Sequence, residues 1–159
     1  MSSPAQIENA WLAAVDFLEH RDFLRSGTLW YDLEDSFEVR DLHLDEDEET
    51  FVAYTELHVT VRWFGDAELT IEAPEWPFDL TMTVGGEFTF VPGREQRFVQ
   101  TWLDYNGAYL LWPYARAFVA SVTSLGRLPK LTLETRQVPN PPDIESEEDV
   151  RPAASQAES

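Results

Sequence analysis

Two stretches of strict alternation constrain this chain most. From Phe51 to Phe64, the residues Phe51, Ala53, Leu57, Val59, Val61 and Trp63 share one parity, while Glu56, His58, Thr60 and Arg62 share the other. From Phe78 to Val91, Phe78, Leu80, Met82, Val84, Phe88 and Phe90 share one face, and Thr81, Thr83, Glu87 and Thr89 share the opposite one. An extended backbone sends successive side chains to opposite sides, so each stretch reads as a strand with one apolar and one polar face. Such strands belong to an antiparallel sheet covered on one side and wet on the other. Gly85-Gly86 predicts a bulge or bend in the second stretch.

Other extended segments precede them. Leu29-Trp30-Tyr31 and Phe37-Glu38-Val39 are rich in strand formers, Asp41 to Asp45 alternates, and the acidic run Asp45 to Glu49 marks a solvated turn. Glu68 to Ala73 alternates again between the breaks at Gly65-Asp66 and Pro74–Pro77.

Cover for the apolar face is expected from helices. Ser3, Pro4 and Gln6 form a helix-start signature, and Ile7, Trp11, Ala14, Val15 and Leu18 recur at helical spacing, which predicts an N-terminal helix over 4–20. A longer helix is predicted over 112–125, with Pro113 in its first turn, a stripe of Tyr114, Phe118, Val119, Val122 and Leu125, and Gly126 as terminator. Leu128 to Val138 looks extended. Residues 140–159 are rich in Pro, Glu and Ser with almost no apolar side chains, the composition of a disordered acidic tail. The fold class is α+β.

Charge narrows the function. With 30 Asp and Glu against 11 Lys and Arg, the net charge is −19. A field of that sign repels phosphate backbones and anionic lipid, which argues against nucleic-acid and membrane partners. The absence of Cys excludes disulfides and thiolate metal sites and fits a cytoplasmic protein. No basic–apolar leader is expected at the start, and no apolar run reaches bilayer length.

A search for catalysis finds little. His20, His43 and His58 form no metal-binding pair, and His58, on the polar parity of its strand, reads as a solvated sheet histidine. The acidic run 45–49 lacks the Gly and closing Glu of a calcium loop. Neither a P-loop nor a Gly-x-Ser-x-Gly elbow is present. The expectation is a protein that is no enzyme and needs no cofactor or metal.

At Leu111-Trp112-Pro113-Tyr114-Ala115-Arg116, followed by Leu125-Gly126-Arg127-Leu128-Pro129-Lys130-Leu131-Thr132-Leu133, the chain resembles the SecB chaperone family. Glu38–Asp45, Phe51–Phe64 and Leu80–Phe90 resemble that family's second, third and fourth strands. The resemblance implies a SecB-like domain over 1–139, with a four-stranded sheet (about 28–91), a long amphipathic helix and an extra N-terminal helix. It implies an ATP-independent holdase for unfolded polypeptides, assembled as a homotetramer. Clients implied are secretory preproteins, or the antitoxin of a toxin–antitoxin system, the layout closest to this chain. The export motor SecA is a further implied partner, although the tail here has neither Cys nor His to hold the family's tail zinc.

The same resemblance places Leu42 and Leu44 in a client groove, with core packing as the alternative. Trp30, Trp76, Trp102 and Tyr105 are further groove candidates against the same alternative. Tyr114, Phe118, Val119, Val122 and Leu125 are implied at the oligomer interface, or they cover only the chain's own sheet. A rival reading is a small β-protein closed around an apolar ligand.

Overall fold

The computed structural model describes residues 3–19, 30–64, 78–126 and 130–136. Four strands come first, β1 (Ala5–Glu19), β2 (Trp30–Asp45), β3 (Thr50–Phe64) and β4 (Phe78–Phe90), and one helix follows, α1 (Gln96–Thr123). The sheet is antiparallel in the order β1-β4-β3-β2. It is open, with β1 and β2 as its edges. The closed barrel of the rival reading is therefore not what the described residues form.

The alternating stretches fold as their pattern demands. On β3, Ala53, Leu57, Val59 and Val61 are inaccessible, and on β4 so are Leu80, Met82, Val84 and Phe88. The glycine pair produces no bulge, because β3 and β4 stay in register from Leu57↔Val84 to Tyr54↔Glu87. Its role is close approach. A Cβ on Gly85 would lie 2.3 Å from the Trp11 ring, so the indole rests on bare backbone.

The N-terminal helix expected over 4–20 is instead β1, paired along its length with β4. Two register shifts, between Ile7 and Asn9 and between Leu12 and Ala14, each insert one unpaired residue. The side chains packed on the core are consequently Ala5, Ile7, Ala10, Leu12 and Phe17, a spacing that breaks the period of two. Bulges disguise a strand as a helix here. The extended segments expected at Trp30–Tyr31, Phe37–Val39 and Asp41–Asp45 join into β2, which carries its own bulge between Val39 and Asp41, while Leu29 lies outside the described residues.

The acidic run makes the β2–β3 turn, as expected. The Asp45 carboxylate accepts hydrogen bonds from the backbone N–H of Asp47 (3.0 Å) and Glu48 (3.4 Å), and Glu49 takes a left-handed φ of 53° to close it. The segment Glu68–Ala73 and the tail 140–159 lie outside the described residues.

The long helix is also corrected. It begins at Gln96 rather than near Trp112, and Pro113 stands inside it. Pro113 has no N–H to give the Tyr109 carbonyl, a cost the helix bears because its inner face is buried throughout. That face runs Val99, Leu103, Gly107, Leu111, Ala115, Val119 and Thr123, one residue every four, all buried. Gly107 lets helix and sheet close up, since a Cβ there would meet the Phe37 ring at 2.2 Å. Burying one Leu or Phe is worth about 1.5–3 kcal/mol, so this ridge outweighs a single lost hydrogen bond.

Beyond the helix, residues 130–136 strap across its C-terminal half. Leu131 and Leu133 are buried while Lys130, Thr132 and Glu134 are exposed. Trp112 Nε1–H donates to the Glu134 carbonyl at 2.9 Å, Arg116 Nε–H to that of Leu133 at 2.7 Å, and Leu131 N–H to Thr123 Oγ1 at 2.9 Å.

Candidate functional site

The sheet presents its helix-free face as ordered rows. One row crosses all four strands as Glu38, Glu56, Gly85 and Trp11, and the next runs Ser36, His58, Thr83 and Ala14. A third runs Asp41, Tyr54, Glu87 and Asn9. There Tyr54 Oη–H donates to Glu87 at 3.5 Å, and Asn9 Nδ2–H donates to the same carboxylate at 3.4 Å. His43 Nδ1–H donates to Asp41 at 2.8 Å while its ring stacks on Tyr54.

At the centre of this face, the strands bring together a group that sequence reasoning left as separate solvated residues. His58 Nε2–H donates to Glu38 Oε1 at 2.9 Å and lies 3.5 Å from Glu56 Oε2. Its other ring nitrogen is 3.0 Å from the Thr83 hydroxyl. Arg40 bridges the two carboxylates, with Nη1 3.1 Å from Glu38 and Nε 3.5 Å from Glu56. The His58 hydrogen bond, aided by the Arg40 charge, holds the Glu38 carboxyl below its ordinary value of 4.5. The shared parity of Glu56 and His58 was legible. The arrival of Glu38 depends on the β2 bulge.

The groove and interface candidates fall in different places. Leu42 is half-buried opposite Ala53, packed on the core, whereas Leu44 is 49% exposed opposite Phe51. Trp102 is buried, its ring edge-on to Phe88 and Phe90 at centroid distances of 6.3 and 5.4 Å. Tyr105 is half-exposed on the same helix. The Trp30 backbone pairs with Phe64, and Trp76 lies outside the described residues. The expected interface stripe splits. Val119 is sealed against the chain's own sheet, Phe118 and Val122 pack partly on the core, Tyr114 is exposed, and Leu125 stands almost free just past the helix.

Sequence reasoning missed the β1 edge altogether. Trp11, Val15 and Leu18 are all exposed large hydrophobics on it. Among the described residues, one long side of β1 has no partner strand, the arrangement that lets backbone N–H and C=O groups pair with another chain. Among the described residues, no helix is long and apolar enough to cross a membrane.

No family model matches the sequence, and no curated protein matches it. Solved structures do. The SecB-like chaperone Rv1957 of Mycobacterium tuberculosis, solved in complex with a ChAD peptide from the HigA1 antitoxin Rv1956, superposes with a TM-score of 0.68. The match covers 86% of this chain and 93% of that one at 23% identity. The fold is SecB-like. A protein of unknown function from Streptococcus agalactiae is also similar, at a TM-score of 0.47 and 13% identity over 82% of this chain and 96% of its own. The SecB-like layout puts the long helix on one side of the sheet and leaves the polar rows on the other.

Proposed function

We propose that this chain is an ATP-independent holdase of the SecB-like kind, binding non-native polypeptide in the cytoplasm and catalysing nothing. The observation that carries the reading is the similarity in fold to a SecB-like chaperone bound to an antitoxin peptide. Two physical features support it. A holdase needs apolar surface that stays exposed, and Trp11, Val15, Leu18, Leu44 and Tyr105 supply it. It must also remain soluble while exposing that surface, and a net charge of −19 serves that end.

The open β1 edge offers a binding mode that does not depend on client sequence. An extended client segment adds as a further strand through main-chain hydrogen bonds, and the exposed apolar side chains beside it hold alternate residues. The antitoxin of a toxin–antitoxin system is the favoured client, secretory preproteins with handover to SecA the broader alternative. The working assembly in this reading is a homotetramer, joined through the exposed Tyr114 and Leu125 and the accessible part of the half-buried Phe118.

The test is light scattering of a chemically unfolded client diluted into buffer with and without the protein, in the absence of ATP. Suppressed aggregation at near-stoichiometric ratios is expected. Unchanged aggregation, both with several unrelated clients and with an antitoxin of a SecB-like system, would overturn the reading.

A further inference from the structure

We propose that Glu38, Glu56 and His58 form a binding site for a divalent transition-metal ion of the zinc class on the helix-free face of the sheet. The three ligand atoms lie within 4.8 Å of one another. Zinc bonded to nitrogen and oxygen at about 2.0–2.2 Å in a tetrahedron holds its ligand atoms roughly 3.4 Å apart. The His58 Nε2 separations of 2.9 Å from Glu38 and 3.5 Å from Glu56 bracket that spacing, so small rotamer adjustments complete the set.

The donors choose the metal. One imidazole with two carboxylates suits zinc, cobalt or nickel, whereas calcium and magnesium prefer oxygen alone. The site also has the outer support that metal-bound histidines carry. Thr83 on β4 engages Nδ1 and aims Nε2 at the carboxylates.

The position of Arg40 identifies what the site lacks. Glu38 and Glu56 face each other directly across β2 and β3, an arrangement that repels unless a cation intervenes. The guanidinium of Arg40 supplies that cation. It comes from the unpaired residue of the β2 bulge, and its side chain is 57% exposed, so nothing in the core has to move when it leaves. Arg40 is a placeholder that a metal ion displaces. The acidic turn at 46–49 offers no such set, because it has no imidazole and Asp45 is engaged by backbone N–H groups.

Titration calorimetry of the untagged full chain with zinc, paired with the visible absorption of the cobalt form, tests this. One ion per chain is expected. His58→Ala should weaken binding by at least ~10-fold, and Glu56→Gln should weaken it in the same direction. His43→Ala, on the same face but outside the set, should leave it unchanged. Arg40→Ala should bind at least as tightly as the natural chain, because a competing cation is gone. Melting curves without metal check that each variant is folded, and Glu56→Gln keeps the test valid where His58→Ala is not. Absence of binding, binding that survives loss of His58 or Glu56, or binding weakened by removal of Arg40 overturns the site.

Discussion

The two edges of the sheet are nearly equal in length and opposite in chemistry. β2 carries Asp32, Glu34, Asp35, Glu38, Arg40, Asp41 and Asp45 along its 16 residues, whereas β1 carries only Glu8, Asp16 and Glu19 along 15. Charge on an edge strand opposes pairing with a foreign strand. β2 is additionally tied down from within, since Asp35 forms a two-pronged ion pair with Arg136 of the C-terminal strap. Among the described residues no comparable ion pair ties down the middle of β1, where Ala10 to Val15 is an uncharged run. A sheet with two equally defended edges stays alone, and one with two open edges polymerises. Among the described residues this sheet has one lightly charged edge, and under the proposed function that asymmetry would let a holdase capture a chain without becoming part of an aggregate.

Transferring the β2 defence to β1 should have the largest effect. Val15→Lys puts a charge where an incoming strand would bury it, and an uncompensated buried polar group costs about 2–7 kcal/mol. That corresponds to roughly 30-fold or more in association. Client holding, read by light scattering, should be lost while the melting curve of the chain stays cooperative. Glu34→Lys on β2 is the matched control and should leave holding intact. Equal loss in both variants would remove the distinction between the edges.

A smaller effect is expected where β2 meets the strap. Arg136 lies 3.8 Å over the Trp112 ring, and its hydrogen bonds to Asp35 raise an already high guanidinium pKa further. Asp35→Ala strands that guanidinium half-buried, which should cost about 1–3 kcal/mol in chemical denaturation. Client capture at β1 should persist. A variant that melts normally but no longer holds clients would show that β2 and its strap take part in binding.

How much of this was legible depends on whether a feature was local. β3 and β4 follow from parity alone, because neither interrupts its period of two on the way across the sheet. β1 was not legible as a strand, since its extra residues near Glu8 and Ala13 give Ile7, Trp11, Ala14 and Val15 the spacing of a helix. Pro113 misled in another way, resembling a helix start in a helix whose four-residue ridge from Val99 was already in the sequence. The Glu38–Glu56–His58 cluster depends on register. Continuing the pairing from the 46–49 turn without a bulge would set Glu38 against Leu57, and only the extra residue Arg40 brings it opposite Glu56. Local pattern carries parity, and long-range pairing carries sites.

The smallest expected effect is a pH dependence that marks β2 and not β1. Glu38 is ionised more readily in the folded chain than in the unfolded one, because His58 and then Arg40 stabilise its carboxylate. A depressed carboxyl contributes stability that is present above its ordinary value of 4.5 and lost as pH falls through the lower, folded value. Glu38→Gln has no carboxyl to titrate and lacks that contribution at every pH. The natural chain should therefore melt above Glu38→Gln near about pH 6, and the gap should narrow toward about pH 3. Val15→Gln on β1 touches no such group, so its offset from the natural chain should stay constant over the same range. A gap that is constant for Glu38→Gln as well would mean that the His58 hydrogen bond seen between the strands contributes nothing to the fold in solution.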